Sequence, residues 1–174
     1  MLHALQFWHD QNFEKCRSVY MSDQARKHVL GLAGEFLVAG EILRRGITAV
    51  VTYGNAKKAD VIAILGNYAT SVEVKTSSEN KWIVGNQIPE PSSDLWVFVY
   101  LPTDETSAPE YFVLTAYELH KIVKQDDDNY RARYFERNGK DFIGTGVISL
   151  RREAAAGHKG SWDKVKARLM EIKS

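Results

Sequence analysis

A two-residue turn, Gly66-Asn67, joins two β-rich segments and constrains the fold of this chain more than any other feature. The segments are 59–65 and 68–75, and a Gly-first turn of two residues is typical of a tight β-hairpin. If Leu65 and Tyr68 flank the turn as a pair, the register of the whole hairpin follows from that pair. The two residue numbers of every cross-strand pair then add up to 133.

The hairpin register predicts a cluster of charged side chains. Asp60 falls opposite Glu73, and Lys75 points to the same face as Glu73 because the strand period is two. Directly paired like charges destabilise a sheet, and a divalent cation would explain why they are held together. Two carboxylates suit Mg²⁺ or Mn²⁺, which can activate water and neutralise charge on a phosphate. The alternatives are a buried salt-bridge cluster centred on Lys75, or a slipped register that leaves Asp60 in solvent.

A third carboxylate lies on the best helix pattern in the chain. The helix is predicted over 22–45, with Ser22 as its N-cap and Gly46 as its C-terminal stop. Its apolar residues recur at helical spacing at Val29, Ala33, Phe36, Gly40 and Leu43. Glu35 lies at the edge of this stripe, in line with Ala39 and Ile42, which predicts a half-buried carboxylate.

Two glycines precede Glu35 in the same helix. Gly31 and Gly34 each cost about 1 kcal/mol relative to alanine inside a helix, which indicates that another part of the molecule approaches this turn closely. The approach is either to a functional site or an ordinary packing of the helix against a sheet.

The remaining pattern completes a mixed α/β chain. Segment 95–101 is continuously apolar, as expected of a central strand covered on both faces. Thr115 and Glu118 form a capping box at the start of a helix to about residue 125. The other predictions are a strand over 47–53, a strand over 111–114, a last helix capped by Ser161, and loop-rich stretches over 76–94 and 126–160.

Composition is that of one ordinary globular domain. The 174 residues are 44% hydrophobic and 26% charged, with a formal net charge of +1. We expect a single domain over 1–174, with an N-terminal helical extension over 1–21, a core over 22–125, and a basic loop region and C-terminal helix over 126–174. The single Cys16 and the lack of a long apolar run predict a cytoplasmic protein without a membrane partner.

Charge is unevenly distributed along the chain. Residues 86–128 carry a net charge of −7, whereas residues 129–160 carry a net charge of +4. Arg131 and Arg133 in the basic stretch are predicted to bind phosphates, against the alternative of a solvated charged face. Lys81 and Trp82, just after the hairpin, are predicted to neutralise and stack on a nucleic-acid strand, against the alternative that Trp82 is a core residue.

Four motifs together resemble the PD-(D/E)XK nuclease superfamily, also called restriction-endonuclease-like. The motifs, which span about residues 29–76, are Gly31-Leu-Ala-Gly-Glu35-Phe-Leu-Val-Ala, Arg45-Gly-Ile, Ala59-Asp60-Val-Ile-Ala and Val72-Glu73-Val-Lys75. The layout is most similar to small Holliday-junction resolvase-like members. Ala59 stands where the name-giving proline would be, at a position where such enzymes vary. The resemblance implies an α/β fold with an α-β-β-β-α-β core, in which helices flank a mixed central sheet.

The same resemblance implies roles for four residues. Asp60 and Glu73 are metal ligands, Lys75 is the catalytic lysine, and Glu35 is the helix-borne acid near the metal. The implied cofactor is Mg²⁺, with Mn²⁺ as a substitute, and the implied activity is hydrolysis of DNA phosphodiesters, with RNA not excluded.

Two other functions remain open at this point. One is a nuclease-fold module that binds DNA or a protein without turnover, and the other is an α/β protein with a structural ion-pair cluster. A homodimer is also possible, with the aromatic-rich residues 1–20 as its interface or, alternatively, as a cover for the core. The chain has no P-loop, no dinucleotide-binding glycine motif and no metal-like spacing of histidines.

Overall fold

A computed structural model describes residues 22–52, 59–144 and 146–172 of the chain. In chain order its elements are α1 (Asp23–Leu43), β1 (Thr48–Val51), β2 (Val61–Leu65), β3 (Tyr68–Ser77), β4 (Lys81–Gly85), β5 (Leu95–Tyr100), β6 (Glu110–Thr115), α2 (Ala116–Asn138), β7 (Ile148–Arg151), a 3-10 turn (Ala156–His158) and α3 (Asp163–Glu171). The predicted fold class is confirmed, because helices flank a mixed central sheet.

The central sheet has five strands in the order β1-β2-β3-β5-β6. Neighbouring strands are antiparallel except β3 and β5, which are parallel. The hairpin register is confirmed from Leu65↔Tyr68 to Val61↔Val72, and each of these pairs adds up to 133. The turn therefore determines the register of β2 against β3, as expected for a two-residue connection.

The connection from β3 to β5 differs from the α-β-β-β-α-β order. No helix lies there; β4 follows β3 and pairs with β7 in a separate two-stranded sheet. Residues 78–80 and 86–94 of the predicted loop-rich stretch 76–94 lie outside helices and strands, but the prediction misses β4, in which Trp82 and Val84 alternate with exposed residues.

The prediction that 126–160 is loop-rich is wrong. α2 continues to Asn138, and β7 follows it. The second half of α2 has little apolar surface to bury, but polar pairs four residues apart stabilise a solvated helix. Lys124 pairs with Asp128 at 3.1 Å and Arg131 pairs with Asp127 at 2.6 Å.

The central sheet is covered on both faces. One face packs against α1 and α3, through residues such as Val38, Ile42, Val72, Val97 and Val165. The other face packs against α2 and the β4–β7 sheet, through residues such as Trp82, Phe98, Phe112, Leu119 and Leu150. Both layers exclude water from apolar side chains, which is the main source of stability in a fold of this kind.

The buried face of α1 is not the predicted stripe. Val29, Phe36 and Leu43 are each about half exposed, at 51%, 51% and 52%. The helix instead buries Gly34, Val38, Ala39 and Ile42 against the sheet. Both stripes have helical spacing, and the buried one carries Gly34, where the side chain of Thr76 in β3 approaches the helix too closely for a Cβ.

The ends of the helices follow local rules in three of the four predicted positions. Ser22 caps α1 by accepting from the N–H of Ala25 at 3.2 Å, and Gly46 follows the helix with φ of +76°. Thr115 and Glu118 form the predicted capping box of α2. Ser161 does not cap α3. The N-cap is Trp162, which has helical dihedral angles and makes no side-chain hydrogen bond to the helix end.

The predicted N-terminal extension at 1–21 lies outside the described residues. The predicted dimer contact at 1–20 and Cys16 lie outside them for the same reason. Among the described helices, none combines the length and the apolar character needed to cross a lipid bilayer.

Replacing Gly34 by alanine is expected to destabilise the fold. A Cβ added at Gly34 would lie 1.8 Å from Oγ1 and 2.9 Å from Cβ of Thr76 in β3, so α1 or β3 must shift. Overpacking of this kind costs about 1–3 kcal/mol of unfolding free energy, which a denaturant titration measures.

Gly31→Ala is the matched control for this prediction. Nothing lies within 4 Å of the Cβ added there, so the substitution should stabilise the helix by up to about 1 kcal/mol. Thr76→Ala should recover part of the loss caused by Gly34→Ala, because it removes the hydroxyl that the new methyl group meets. Equal stability of the two single glycine variants would show that the helix and the strand separate without cost.

Candidate active site

Asp60 lies where the β2–β3 ladder ends. The last cross-strand pair is Val61↔Val72, and the N–H of Asp60 donates to the same Val72 carbonyl oxygen at 3.2 Å. Two consecutive residues of one strand thus oppose one residue of the other, which is a β-bulge. The predicted direct pairing of Asp60 with Glu73 is wrong for this reason, since a bulge interrupts the ladder.

The carboxylate of Asp60 reaches β3 by a different contact. Its Oδ2 accepts a hydrogen bond from the N–H of Val74 at 2.8 Å, and Asp60 is only 9% exposed. The carboxylate therefore takes the place of a backbone carbonyl just beyond the last strand pair. Val74 is the residue between Glu73 and Lys75, so Asp60 does meet the predicted motif. Every residue except proline has a backbone N–H, so the sequence does not indicate that Val74 is the residue that binds Asp60.

Glu73 and Lys75 point to one face of the sheet. In the parallel ladder they pair with Trp96 and Phe98 of β5, which belong to the layer under α2. Val74, between them, points to the opposite layer under α1. Glu73 and Lys75 are both partly buried, so the end of the β2–β3 ladder brings three charged groups to a partly desolvated place.

Lys75 forms no ion pair with an Asp or Glu among the residues that the structure describes. Its Nζ lies 5.7 Å from the centroid of the Trp96 ring, a cation–π distance. A structural cluster in which Lys75 bridges the carboxylates is therefore not the arrangement observed. The ammonium is held by an aromatic ring and keeps its N–H donors for other partners.

Glu35 lies on the other side of β3 from Lys75. It is partly buried on α1 and follows Gly34, which meets Thr76 of β3. α1 packs on the layer that contains Val74, so Glu35 and Lys75 approach β3 from opposite faces. That Glu35 lies near a metal remains a prediction.

The oxygen donors at the end of the β2–β3 ladder fit a magnesium site with two carboxylate ligands. Across residues 22–52, 59–144 and 146–172, no group of three or more His, Cys, Asp or Glu side chains is arranged to hold a metal. Mg²⁺, however, is usually bound by one or two carboxylates together with waters and substrate phosphates. Asp60, a carboxylate fixed by a backbone N–H, and the neighbouring Glu73 fit that two-carboxylate kind of site.

Trp82 is a core residue, so the prediction that it stacks on nucleic acid is wrong. It is 1% exposed, and its indole Nε1 donates to the carbonyl oxygen of Val99 at 2.8 Å. Its ring packs against Phe98 and Phe112 at centroid distances of 5.4 and 5.3 Å. A buried aromatic ring with a satisfied N–H has no face left for a nucleotide base.

The predicted phosphate-binding residues all lie at the surface, but in different settings. Arg131 and Arg133 are exposed on α2, and Lys81 is exposed at the start of β4. Arg131 is hydrogen-bonded to Asp127 at 2.6 Å, and this hydrogen bond raises the pKa of Arg131. Its Nη1 also donates to the carbonyl oxygen of Phe142 at 3.1 Å, so two of its hydrogen-bond donors already have partners within the chain.

Other cations of the basic stretch 129–160 are paired as well. Glu110 accepts from Arg152 and from Lys159 at 2.5 and 2.8 Å, and the hydrogen bond from Lys159 holds the pKa of Glu110 below its usual range. Arg151 lies 3.6 Å from Glu153, with both side chains largely exposed. The net charge of the stretch therefore overstates the positive charge that it presents to solvent.

Comparisons with known proteins give similarities of structure alone. No protein-family model matches the sequence, and no characterised protein sequence matches it significantly. The chain is similar to a bacterial homing endonuclease, I-Ssp6803I, with 13% identity and a TM-score of 0.49 over 84% of this chain and 95% of that one. It is also similar to Hjc, a Holliday junction resolvase of Archaeoglobus fulgidus, with 10% identity and a TM-score of 0.43 over 72% of this chain and 87% of that one.

The activities named for these two structures, those of a homing endonuclease and a Holliday junction resolvase, belong to those proteins. At these identities the similarity concerns the path of the chain and assigns no role to any residue. A shared fold hosts many chemistries, so function has to be argued from the site itself.

Proposed function

We propose that the protein is a metal-dependent nuclease that hydrolyses phosphodiester bonds of DNA. The observation that carries the proposal is the arrangement at the end of the β2–β3 ladder. The Asp60 carboxylate is bound to the N–H of Val74, and the residues on either side of Val74 are Glu73 and Lys75. Two acids and an ammonium that has no carboxylate partner among the described residues are the groups that phosphodiester hydrolysis needs.

Asp60 and Glu73 would hold the ion, which is Mg²⁺ or Mn²⁺. When bound, such an ion neutralises charge on the phosphate and lowers the pKa of a coordinated water. The bound Val74 N–H keeps the Asp60 carboxylate in one orientation before substrate arrives, which saves reorganisation during the reaction.

Lys75 acts on the attacking water and on the phosphate. Its ammonium donates hydrogen bonds that orient the water for attack on phosphorus and offset the negative charge that grows in the transition state. A new P–O bond would form to the water oxygen, which releases a proton to solvent, and the P–O bond to the leaving nucleotide would break, its oxygen taking up a proton. Glu35 is proposed to orient a water at the site from the α1 side, and Arg131, Arg133 and Lys81 to bind the DNA backbone.

An activity assay tests this proposal directly. Supercoiled, linear, single-stranded and four-way-junction DNA, with an RNA strand for comparison, are incubated with the protein and with Mg²⁺, Mn²⁺ or EDTA. We expect cleavage of at least one DNA form with Mg²⁺ or Mn²⁺ and none with EDTA. Cleavage that persists in EDTA would contradict the metal-dependent mechanism.

Calorimetric titration with Mn²⁺ separates the two other functions. A nuclease-fold module without turnover would bind Mn²⁺ or DNA and cleave nothing, whereas a purely structural α/β protein would bind neither. The separate position of Lys75, away from any described carboxylate partner, favours the enzyme over the structural protein.

A further inference from the structure

The β4–β7 sheet is a two-stranded ribbon with one buried face and one exposed face. Trp82 and Leu150 are each 1% exposed and anchor the ribbon on the central sheet. The opposite face carries Lys81, Ile83 and Arg151, all exposed. The ribbon is therefore firmly attached, and its outer side chains face solvent.

The outer face of the ribbon pairs two cations. Lys81 lies directly across from Arg151 in the ladder. Like charges in directly paired positions repel and destabilise a sheet. Arg151 forms an exposed ion pair with Glu153 at 3.6 Å, whereas Lys81 pairs with no carboxylate in the described part of the chain. Glu153 thus offsets the positive charge on the Arg151 side only, and Lys81 keeps its charge without a carboxylate partner among the described residues.

Further groups on the same side suit a polyanion with an apolar component. Ile83, next along the outer face, is 55% exposed. Arg133 of α2 lines a cleft of about 320 Å³ together with Arg151 and Ser149. The cleft also contains two acids, Asp126 and Asp127, of which Asp127 is bound to Arg131.

The ribbon lies close to the candidate active site. Lys75 lies two residues before the end of β3 at Ser77, and Lys81 follows four residues after Ser77. A fully extended chain of six residues spans about 20 Å, which is therefore the largest distance between the Cα atoms of Lys75 and Lys81. The ribbon also packs on the same face of the central sheet as Glu73 and Lys75, through Trp82.

We infer that the outer face of the β4–β7 ribbon binds double-stranded DNA beside the cleaved bond. Lys81 and Arg151, one on each strand, contact backbone phosphates, and Ile83, the next outward-facing residue of β4, packs against the groove. A two-stranded ribbon has the width that the major groove of B-DNA admits, and phosphate binding would relieve the repulsion between the paired cations. This inference rests on the proposed DNA-cleaving function and names the form of DNA and the surface that holds it.

Duplex binding without cleavage tests the inference separately from the enzyme activity. A labelled duplex of about 25 base pairs is titrated in EDTA at several salt concentrations, using the wild type, a K81A/R151A variant and a K27A/K166A control. Lys27 and Lys166 are exposed and lie on α1 and α3, which cover the other face of the central sheet, and their removal subtracts the same charge. Thermal melting of all three proteins checks their folding.

The K81A/R151A variant should bind the duplex at least ~10-fold more weakly at low salt. The slope of log affinity against log salt should become shallower by about 2, because two phosphate contacts are lost. Its melting temperature should be unchanged or higher, since a repulsive pair has been removed. The control should keep the wild-type affinity and slope.

Three results would overturn the inference. They are equal losses in the two double variants, a loss for single-stranded DNA but not for the duplex, and a wild-type protein that binds no duplex at all. Should K81A/R151A melt early, the charge-neutral K81Q/R151Q variant repeats the same comparison. A wild type that binds the duplex but cleaves no DNA would contradict the proposed function and leave the ribbon result standing.

Discussion

Replacing Lys75 by alanine is expected to slow DNA cleavage by at least ~10²-fold, while Asp60 and Glu73 still bind the metal. The loss is the usual size for removal of an acid–base or electrostatic group that acts only in the transition state. Lys75 forms no ion pair in the described part of the chain, so its removal leaves no buried carboxylate newly unpaired. Single-turnover cleavage, Mn²⁺ titration and thermal melting of the variant measure the three quantities.

A structural role for Lys75 makes the opposite forecast. Removing one partner of a buried ion pair costs about 3–5 kcal/mol, so the variant would unfold before a catalytic defect could be measured. Lys75→Met is the control for packing, because it keeps an apolar stem against Trp96 without the charge. A stable Lys75→Ala protein that cleaves DNA at the wild-type rate would contradict a catalytic role for Lys75.

Replacing Asp60 by asparagine is expected to lower metal affinity with little change in stability. The asparagine side-chain oxygen can still accept the hydrogen bond from the N–H of Val74, so the contact that positions the side chain is retained. What disappears is the negative charge, which a divalent cation needs in a ligand. Excess Mn²⁺ should partly restore cleavage, because higher ion concentration compensates for weaker binding.

Asp60→Ala separates the structural contribution of this side chain from its charge. It leaves the Val74 N–H unpaired in a buried place, which adds about 1–3 kcal/mol of destabilisation that Asp60→Asn avoids. Calorimetric titration with Mn²⁺ and denaturant melts of both variants measure the two effects. Wild-type Mn²⁺ affinity in Asp60→Asn would remove Asp60 from the metal site.

Local chemistry explains what could be predicted from the sequence. The turn at Gly66-Asn67 predicts the register of β2 and β3, because a two-residue connection leaves the strands only one way to pair. Ser22, Gly46 and the Thr115 capping box mark helix ends correctly, since each acts through hydrogen bonds or dihedral angles within a few residues. The continuous apolar run of β5 likewise predicts a strand that is buried on both faces.

For the candidate site, the sequence predicts that Asp60, Glu73 and Lys75 come together, but it does not predict the contact that brings Asp60 to β3. Turn chemistry and motif spacing bring Asp60, Glu73 and Lys75 together, and the structure does join Asp60 to the strand that carries the other two. The bulge at Asp60 is invisible in the sequence, because it arises where β2 ends and the carboxylate competes with a backbone carbonyl for the Val74 N–H.

The hairpin register and the caps of the first two helices follow from the sequence, because they depend on neighbours along the chain. Which face of α1 is buried, the place of Trp82 in the core and the pairing of Lys81 with Arg151 follow from packing between distant segments. These outcomes depend on which surfaces meet when the helices and both sheets pack, and contacts between distant segments contribute more free energy than the local preferences they override.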